Sequence, residues 1–225
     1  ERVSISGKYY FQKPRTVFWE YLFFGLKSPL YQTFNEIIVQ SSLGQFISIA
    51  DCVFGLTFQT LNDVNDMLVE EVQSSNNEPE HDTRFFKFGV LLGYAYAFGI
   101  QDLHKDNLVL TAEKIQVIDA EQVLSNLILP DQTLLVGKNN KLNRSDDGLN
   151  VFVNTQAPFL ESKQFFSILD GYIQGLHLMS IKANVILGLV QRELNVQKKR
   201  PVVRCILRPT SVYKSILKSN IFDTD

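Results

Sequence analysis

The N-terminal part of the chain alternates apolar and polar residues over short stretches. In VSISGKYYFQKP two such stretches flank Gly7, so we predict two short strands, with Lys13 at the end of the second. After Pro14, the apolar residues of TVFWEYLFFGL follow helical spacing, which predicts a helix that ends at Gly25.

The pattern then changes several times before a polar stretch. Residues 31–43 (YQTFNEIIVQSSL) predict a second helix, and residues 45–58 are rich in β-branched and aromatic side chains, which favours one or two strands. Residues 62–72 (NDVNDMLVEEV) predict another helix. The acidic stretch QSSNNEPEHDT, which contains a proline, predicts a loop.

A strongly apolar helix is predicted over residues 84–99, ending at Gly99. It leads into the polar stretch IQDLHKDN, and the two short apolar runs LVL and IQVID then predict a hairpin around TAEK.

The rest of the chain is predicted to be mainly helical. Residues 129–150 have scattered apolar positions and predict a long loop. Residues 162–195 predict a pair of helices, broken near Gly171–Gly175 or near Asn184. The stretch PVVRCILRPTSVYKSIL predicts a strand and a short helix.

This order of elements predicts an α+β protein with a two-lobed, kinase-like fold. Residues 1–70 would form a β-rich small lobe. Residues 71–225 would form a mostly helical lobe that carries the hairpin and the terminal element around RCILRPT.

Composition narrows the class of protein. With 225 residues, 45% of them hydrophobic, the chain is long enough to form a substantial core. A net charge of −2 gives no reason to expect nucleic acid or an anionic membrane as a partner. Cys52 and Cys205 show no spacing pattern, so we expect reduced core residues in a cytoplasmic protein. Polar residues interrupt each apolar stretch before about 18 positions, so no membrane insertion is predicted.

Several polar residues at the ends of the hairpin strands suggest phosphoryl-transfer chemistry. Asp102, His104 and Asn107 precede the first strand, while Asp119 and Glu121 follow the second. Phosphoryl transfer needs a carboxylate near the acceptor hydroxyl and oxygen ligands that hold Mg²⁺ on the nucleotide phosphates. In kinase-like sites an Asp, an Asn five residues later and an Asp from the next strand fill these places.

A lysine on an early strand usually contacts the nucleotide phosphates in such a site, and Lys13 is the candidate. For the carboxylate that orients Lys13 we predict Glu36, in preference to Glu20. Simpler interpretations exist for each residue. The Asp- and Asn-rich stretch could be a solvated turn, His104 a cap, Glu121 a salt-bridge partner and Lys13 an exposed residue at a strand end.

Four ordered elements resemble the dehydratase part of the class II lanthipeptide synthetases, the LanM enzymes. YYFQKPR resembles their V-Y-K-P-R element, and D-x-H-x-x-N followed by D-x-E resembles their kinase-like signature. LDGYIQGL is similar to their G-F-x-x-x-Y helix, and VVRCILRPTSVYKSIL is similar to their R-x-I-x-R-P-T-x-x-Y element.

The resemblance implies a reaction in two steps. The family phosphorylates Ser and Thr of a precursor peptide with ATP, then eliminates the phosphate to leave a dehydroamino acid. By position in the motifs, Lys13 would contact the phosphates of ATP, Asn107 and Asp119 would bind Mg²⁺, and Asp102 would be the base or the carboxylate that orients the acceptor. His104 and Glu121 would support the catalytic loop and the metal site, and Arg204 and Thr210 would serve elimination. We count Glu36, which lies in none of these motifs, and Glu121 with Lys13 among the ATP-binding residues.

The chain also departs from the family. The synthetases are long chains with a C-terminal zinc cyclase, and this chain has no Cys/His cluster that resembles one. We therefore expect a trimmed piece with other domains of a longer chain as partners, a stand-alone relative, or a relative that kept only phosphorylation. Two other functions stay open: a kinase-like transferase for a protein, lipid or small-molecule acceptor, and a module that binds a nucleotide or partner without turnover.

Overall fold

The computed structural model describes residues 1–41, 44–61, 67–74, 81–111, 114–137, 147–151, 160–197 and 200–204. It is a mixed α+β structure, and one hydrophobic core contains buried side chains from both sides of the predicted boundary at residues 70 and 71.

Four strands form an antiparallel sheet in the order β1-β2-β6-β5, in which β5 is Phe58–Thr60 and β6 is Met67–Glu70. Strands β1 (Arg2–Ile5) and β2 (Lys8–Gln12) form the predicted hairpin around Gly7, which has the positive φ of 81° that such a tight turn favours. The other two strands of the sheet come later in the chain, and β6 lies between β2 and β5.

Part of the helix predicted over residues 62–72 is a strand. Residues Met67–Glu70 form β6, which pairs with β2 on one side and with β5 (Phe58–Thr60) on the other. Three consecutive residues, Met67, Leu68 and Val69, are buried, so this segment packs on both faces of the sheet. Pairing on two sides therefore outweighs the weak helical pattern.

Three short helices and a two-stranded sheet lie between β2 and β5. Helix α1 (Phe18–Phe24) ends at Gly25 as predicted. Helix α2 (Pro29–Asn35) is shorter than predicted, because the chain turns at Glu36 into β3 (Ile38–Gln40), which pairs with β4 (Phe46–Ser48).

The predicted strand region at residues 45–58 also contains a helix. Helix α3 (Ile49–Val53) begins where the Ser48 hydroxyl accepts a hydrogen bond from the Ala50 amide at 3.1 Å. A local cap thus interrupts a stretch whose composition favours strands.

The hairpin predicted in the second half is present, with β7 (Leu108–Leu110) antiparallel to β8 (Ile115–Val117). The Gln116 side chain donates a hydrogen bond to the Gly55 carbonyl at 2.8 Å, which ties β8 to the end of α3. The polar residues that flank the hairpin are therefore held against the N-terminal part of the protein.

Helix α5 (Ser162–Val196) is one continuous helix of 35 residues, so the prediction of a broken pair is wrong. A Cβ atom on Gly171 would overlap the Phe86 carbonyl oxygen of helix α4 (His81–Ala97). A Cβ atom on Gly175 would lie 3.1 Å from the Val90 carbonyl oxygen of the same helix. These glycines allow close packing of the two helices; they do not end a helix.

Helix α5 is also long and apolar enough to cross a membrane, by length and composition. The most apolar part has a mean hydropathy of 1.4, and 17% of that part is buried. The expectation of no membrane insertion stays a prediction. Buried helices of water-soluble proteins meet the same criterion.

An aromatic cluster fixes the position of α1 in the core. Tyr94 of α4 is wholly buried and donates a hydrogen bond to the Phe23 carbonyl at 2.9 Å. Its ring packs against those of Phe23, Phe34, Phe54 and Phe98. Burial raises the pKa of the Tyr94 hydroxyl well above its usual value, so this group stays a neutral donor.

Cys52 is buried on α3, as expected of a reduced core cysteine, and burial raises the pKa of its thiol to about 12. Cys205 lies outside the described residues.

The contact between α4 and α5 predicts opposite effects for two glycine substitutions in α5. Gly171→Ala should lower the free energy of unfolding by about 1–3 kcal/mol, because the new methyl group meets the backbone of α4. Gly188→Ala should raise it by about 0.5–1 kcal/mol, because nothing lies within 4 Å and alanine favours the helix. Urea unfolding followed by circular dichroism measures both, and equal effects at the two positions would contradict the packing.

Candidate active site

Lys13 brings together two parts of the chain that are far apart in sequence. It lies just after β2, and its Nζ donates a hydrogen bond to the Ile118 carbonyl at 2.9 Å, directly after β8. The same Nζ lies 3.2 Å from Asp119 Oδ1 and 3.0 Å from Glu20 Oε1. Its side chain is 17% exposed, so the lysine is not the exposed strand-end residue of the simpler interpretation.

The carboxylate beside Lys13 is Glu20, which corrects the prediction of Glu36. Glu20 lies in the first turn of α1 and is wholly buried, whereas Glu36 is exposed at the end of α2. The chain turns back after Pro14, and this brings the first turn of α1 onto Lys13. The short separation of seven residues between Lys13 and Glu20 is what this turn requires.

Arg15 is a second basic residue at this carboxylate, and sequence reasoning did not single it out. Its guanidinium lies 2.5 Å from Glu20 Oε1, contacts Asp119, and reaches Glu121 Oε1 at 2.8 Å. Burial lowers the pKa of Arg15, but the hydrogen bond to Glu20 and the three neighbouring carboxylates outweigh this and leave the pKa above its usual value. Arg15 is therefore a permanent cation between three acidic side chains. The sequence offered one indication that Arg15 belongs to the site, namely its position two residues after Lys13.

The polar stretch before β7 forms a compact loop. Residues Lys105–Asn107 make a single 3₁₀ turn, and the His104 ring accepts a hydrogen bond from the Asp106 amide at 3.3 Å. The Asn107 side-chain amide donates to the Asp102 carbonyl at 2.7 Å. Asp102 has a φ of 65°, a left-handed conformation that aspartate adopts more readily than most residues.

This loop is joined to the end of β8. The Ile118 amide donates to the Asn107 carbonyl at 2.9 Å, so Asn107 and Asp119 lie at the same end of the hairpin. The Asp102 carboxylate is 3.9 Å from His104 Nε2. Asp102, His104, Asn107 and Asp119 are thus gathered at one end of β7 and β8.

A cleft of about 360 Å³ lies between the N-terminal sheet and this end of the hairpin. Lys13, Asn107 and Asp119 line it, together with Phe11, Val69, Glu70, Glu71, Val72, Asp106 and Ile118. It has the size and the mixture of apolar and polar side chains that small-ligand sites show. A groove of about 520 Å³ between α5 and the end of α4 has no charged residue in its lining.

The residues in the cleft suit a magnesium ion that is shared with a phosphate ligand. Asp119 offers carboxylate oxygens, and Asn107, whose amide nitrogen bonds the Asp102 carbonyl, would bind through its amide oxygen. Within the described ranges, no group of three or more His, Cys, Asp or Glu residues could hold a metal ion. Mg²⁺ is usually bound by one or two protein carboxylates plus phosphates and water.

Glu121 connects Arg15 and its acidic partners with Arg204. One oxygen of Glu121 faces Arg15, and the other lies 2.5 Å from Arg204 Nη1. The hydrogen bond to Glu121 and its charge raise the pKa of Arg204 above the usual value. Thr210, the other residue expected to serve elimination, lies outside the described residues.

No protein-family model matches this chain, and no curated protein matches it either.

The different surroundings of Glu20 and Glu36 predict different effects of the same substitution. Glu20→Gln should lower the free energy of unfolding by about 3 kcal/mol, because Lys13 and Arg15 would lose a buried charge partner. The exposed Glu36→Gln should change it by less than about 0.5 kcal/mol. Urea unfolding at pH 7 tests the pair, and a stable Glu20→Gln variant would contradict the role given to this carboxylate.

Proposed function

We propose that this chain phosphorylates Ser and Thr side chains of a peptide with ATP and then eliminates the phosphate to leave dehydroamino acids, as the LanM dehydratases that it resembles do. The observation that carries the proposal is the contact of Lys13 with Ile118 and Asp119, at 2.9 and 3.2 Å, beside the Asp102–Asn107 loop. A lysine, a metal-binding aspartate and an Asp/Asn loop at one cleft are the parts that phosphoryl transfer needs.

In this proposal the fold is that of a two-lobed kinase. The sheet β1-β2-β6-β5 with α1 belongs to the small lobe, residues 1–70. The hairpin and helices α4 and α5 belong to the larger lobe, residues 71–225. Glu20 on α1 and Lys13 after β2 form the lysine–glutamate ion pair that kinases use to position the nucleotide-binding lysine.

Several polar residues in and around the cleft have proposed roles in phosphorylation. Lys13 would bind the phosphates of ATP, and Asn107 and Asp119 would hold Mg²⁺, which would supply positive charge beside the phosphates. Asp102 accepts the proton of the Ser or Thr hydroxyl while the hydroxyl oxygen bonds to the γ-phosphorus. The bond from that phosphorus to the β–γ bridging oxygen breaks, so ADP is the leaving group. His104 supports the loop through its contact with Asp102, and Glu121 contacts Arg15 beside it.

Elimination would follow on the phosphorylated side chain. The α-proton leaves to a base, a carbon–carbon double bond forms, and the bond between Cβ and the phosphate oxygen breaks. Arg204 is suited to hold the departing phosphate dianion, because a guanidinium is permanently charged and donates two parallel hydrogen bonds. The proposed partner is therefore a peptide that carries Ser or Thr, and the proposed compartment is the cytoplasm.

Loss of the Asp119 charge should remove turnover and leave the fold intact. Asp119→Asn keeps the size of the side chain but removes a carboxylate ligand of Mg²⁺, so ATP-dependent phosphorylation should fall on the order of 100-fold or more. Mass spectrometry of a Ser/Thr peptide library after incubation with Mg²⁺ and ATP measures this. Asp51→Asn, on the exposed side of α3, is the matched control and should keep full activity. Near wild-type phosphorylation by Asp119→Asn would refute the proposal.

Phosphorylation should require Asp102, whereas elimination should require Arg204. Asp102→Asn, which tolerates the same left-handed backbone, should leave the peptides unmodified because no base accepts the hydroxyl proton. Arg204→Ala should accumulate peptides that have gained a phosphate but have not lost water. Intact-mass analysis distinguishes the two products. If Arg204→Ala abolished phosphorylation while its circular dichroism spectrum stayed native, the separation would be wrong.

A further inference from the structure

Residues 200–204 belong to no helix or strand, and Val202 among them contacts α1. The indole Nε1 of Trp19 donates a hydrogen bond to the Val202 carbonyl at 3.0 Å. The Trp19 side chain is almost completely buried and packs against the rings of Phe18 and Phe23, so its indole N–H has a fixed direction. This donor therefore offers a defined attachment point for the backbone of the segment.

The second attachment point of the segment is the Glu121 carboxylate. Arg15 holds one Glu121 oxygen at 2.8 Å, and Arg15 is itself held by Glu20 and Asp119. The other Glu121 oxygen contacts Arg204 at 2.5 Å. The carboxylate is thus fixed from the protein side and directed toward the segment, and its charge selects a basic residue at position 204.

We propose that Trp19 and Glu121 form a docking site for residues 200–204, and that Glu121 is a positioning residue that holds Arg204 at the edge of the Lys13–Asp119 cleft. The value of this placement for the elimination step rests on the proposed function. The docking itself does not, because it follows from the contacts of Trp19, Val202, Glu121 and Arg204 alone.

The Glu121–Arg204 ion pair and the Trp19–Val202 hydrogen bond depend on each other. Arg204 is 56% exposed, and an ion pair with one exposed partner is weak and screened by salt. The hydrogen bond from Trp19 is neutral and holds only the backbone of Val202. Removing the charge at either end of the Glu121–Arg204 pair should therefore also loosen the Trp19–Val202 bond two residues away.

Trp19 is the only tryptophan in the sequence, so its indole N–H gives a single reporter for docking. We would label tryptophan with ¹⁵N and measure the exchange rate of the indole proton without nucleotide or peptide. Glu121→Gln and Arg204→Ala should each raise this rate about tenfold. Arg204→Lys, which keeps the charge, should restore part of the protection. Arg192→Ala removes an exposed arginine of α5 that pairs with its neighbour Glu193 at 3.4 Å, and it should change nothing.

Unchanged indole exchange in both Glu121→Gln and Arg204→Ala, with native circular dichroism, would overturn the docking. Equal exchange in Arg204→Lys and Arg204→Ala would overturn the part played by charge.

Activity gives an independent readout of positioning. With Mg²⁺, ATP and the Ser/Thr peptide library, Glu121→Gln should raise the ratio of phosphorylated to dehydrated peptide, because Arg204 is less well held while Lys13 and Asp119 remain. A parallel loss of both products would show a merely structural role and would overturn the positioning. If the wild-type protein formed neither product, the proposed function would fail, and the indole exchange would still decide the docking.

Discussion

The buried carboxylate of Glu20 is the interaction on which the candidate site depends. Taking a charged carboxylate out of water costs several kcal/mol, and only closely placed cations and hydrogen bonds offset that cost. Lys13 and Arg15 supply them, at 3.0 and 2.5 Å from the same oxygen. Because both cations also contact Asp119, one buried charge fixes the turn at Pro14, the first turn of α1 and the end of β8 relative to one another.

Features encoded by neighbouring residues could be predicted from the sequence. The β1–β2 hairpin at Gly7, the end of α1 at Gly25 and the β7–β8 hairpin each follow from local patterns and turn residues. Gly171 and Gly175 were misjudged because a glycine can end a helix or admit a neighbouring helix, and only the position of α4 decides between them. The β6 strand was missed because two flanking strands, distant in sequence, determine it.

The residues of the candidate site could likewise be predicted only in part from the sequence. Asp102, His104 and Asn107 lie within six residues, so their spacing alone indicated a shared loop, and the loop hydrogen bonds agree with that. The partners of Lys13 could not be found by spacing, because they depend on the path of the chain after Pro14. The same holds for Arg15, whose three carboxylate partners come from α1 and from the end of β8. Local sequence thus indicates which residues share a loop, and tertiary structure decides which charges surround them.

The central proposal is that a metal–nucleotide complex binds in the cleft that Lys13 and Asp119 line. Paramagnetic broadening by Mn²⁺·ATP in NMR spectra of the ¹⁵N-labelled protein tests it most directly, because the effect falls steeply with distance from the metal. The account predicts that the Asn107 and Ile118 amide signals broaden first, while those of Met179 and Leu187 in the uncharged groove along α5 stay sharp. Broadening of the α5 signals first, or no broadening at the hairpin with saturating Mn²⁺·ATP, would contradict it.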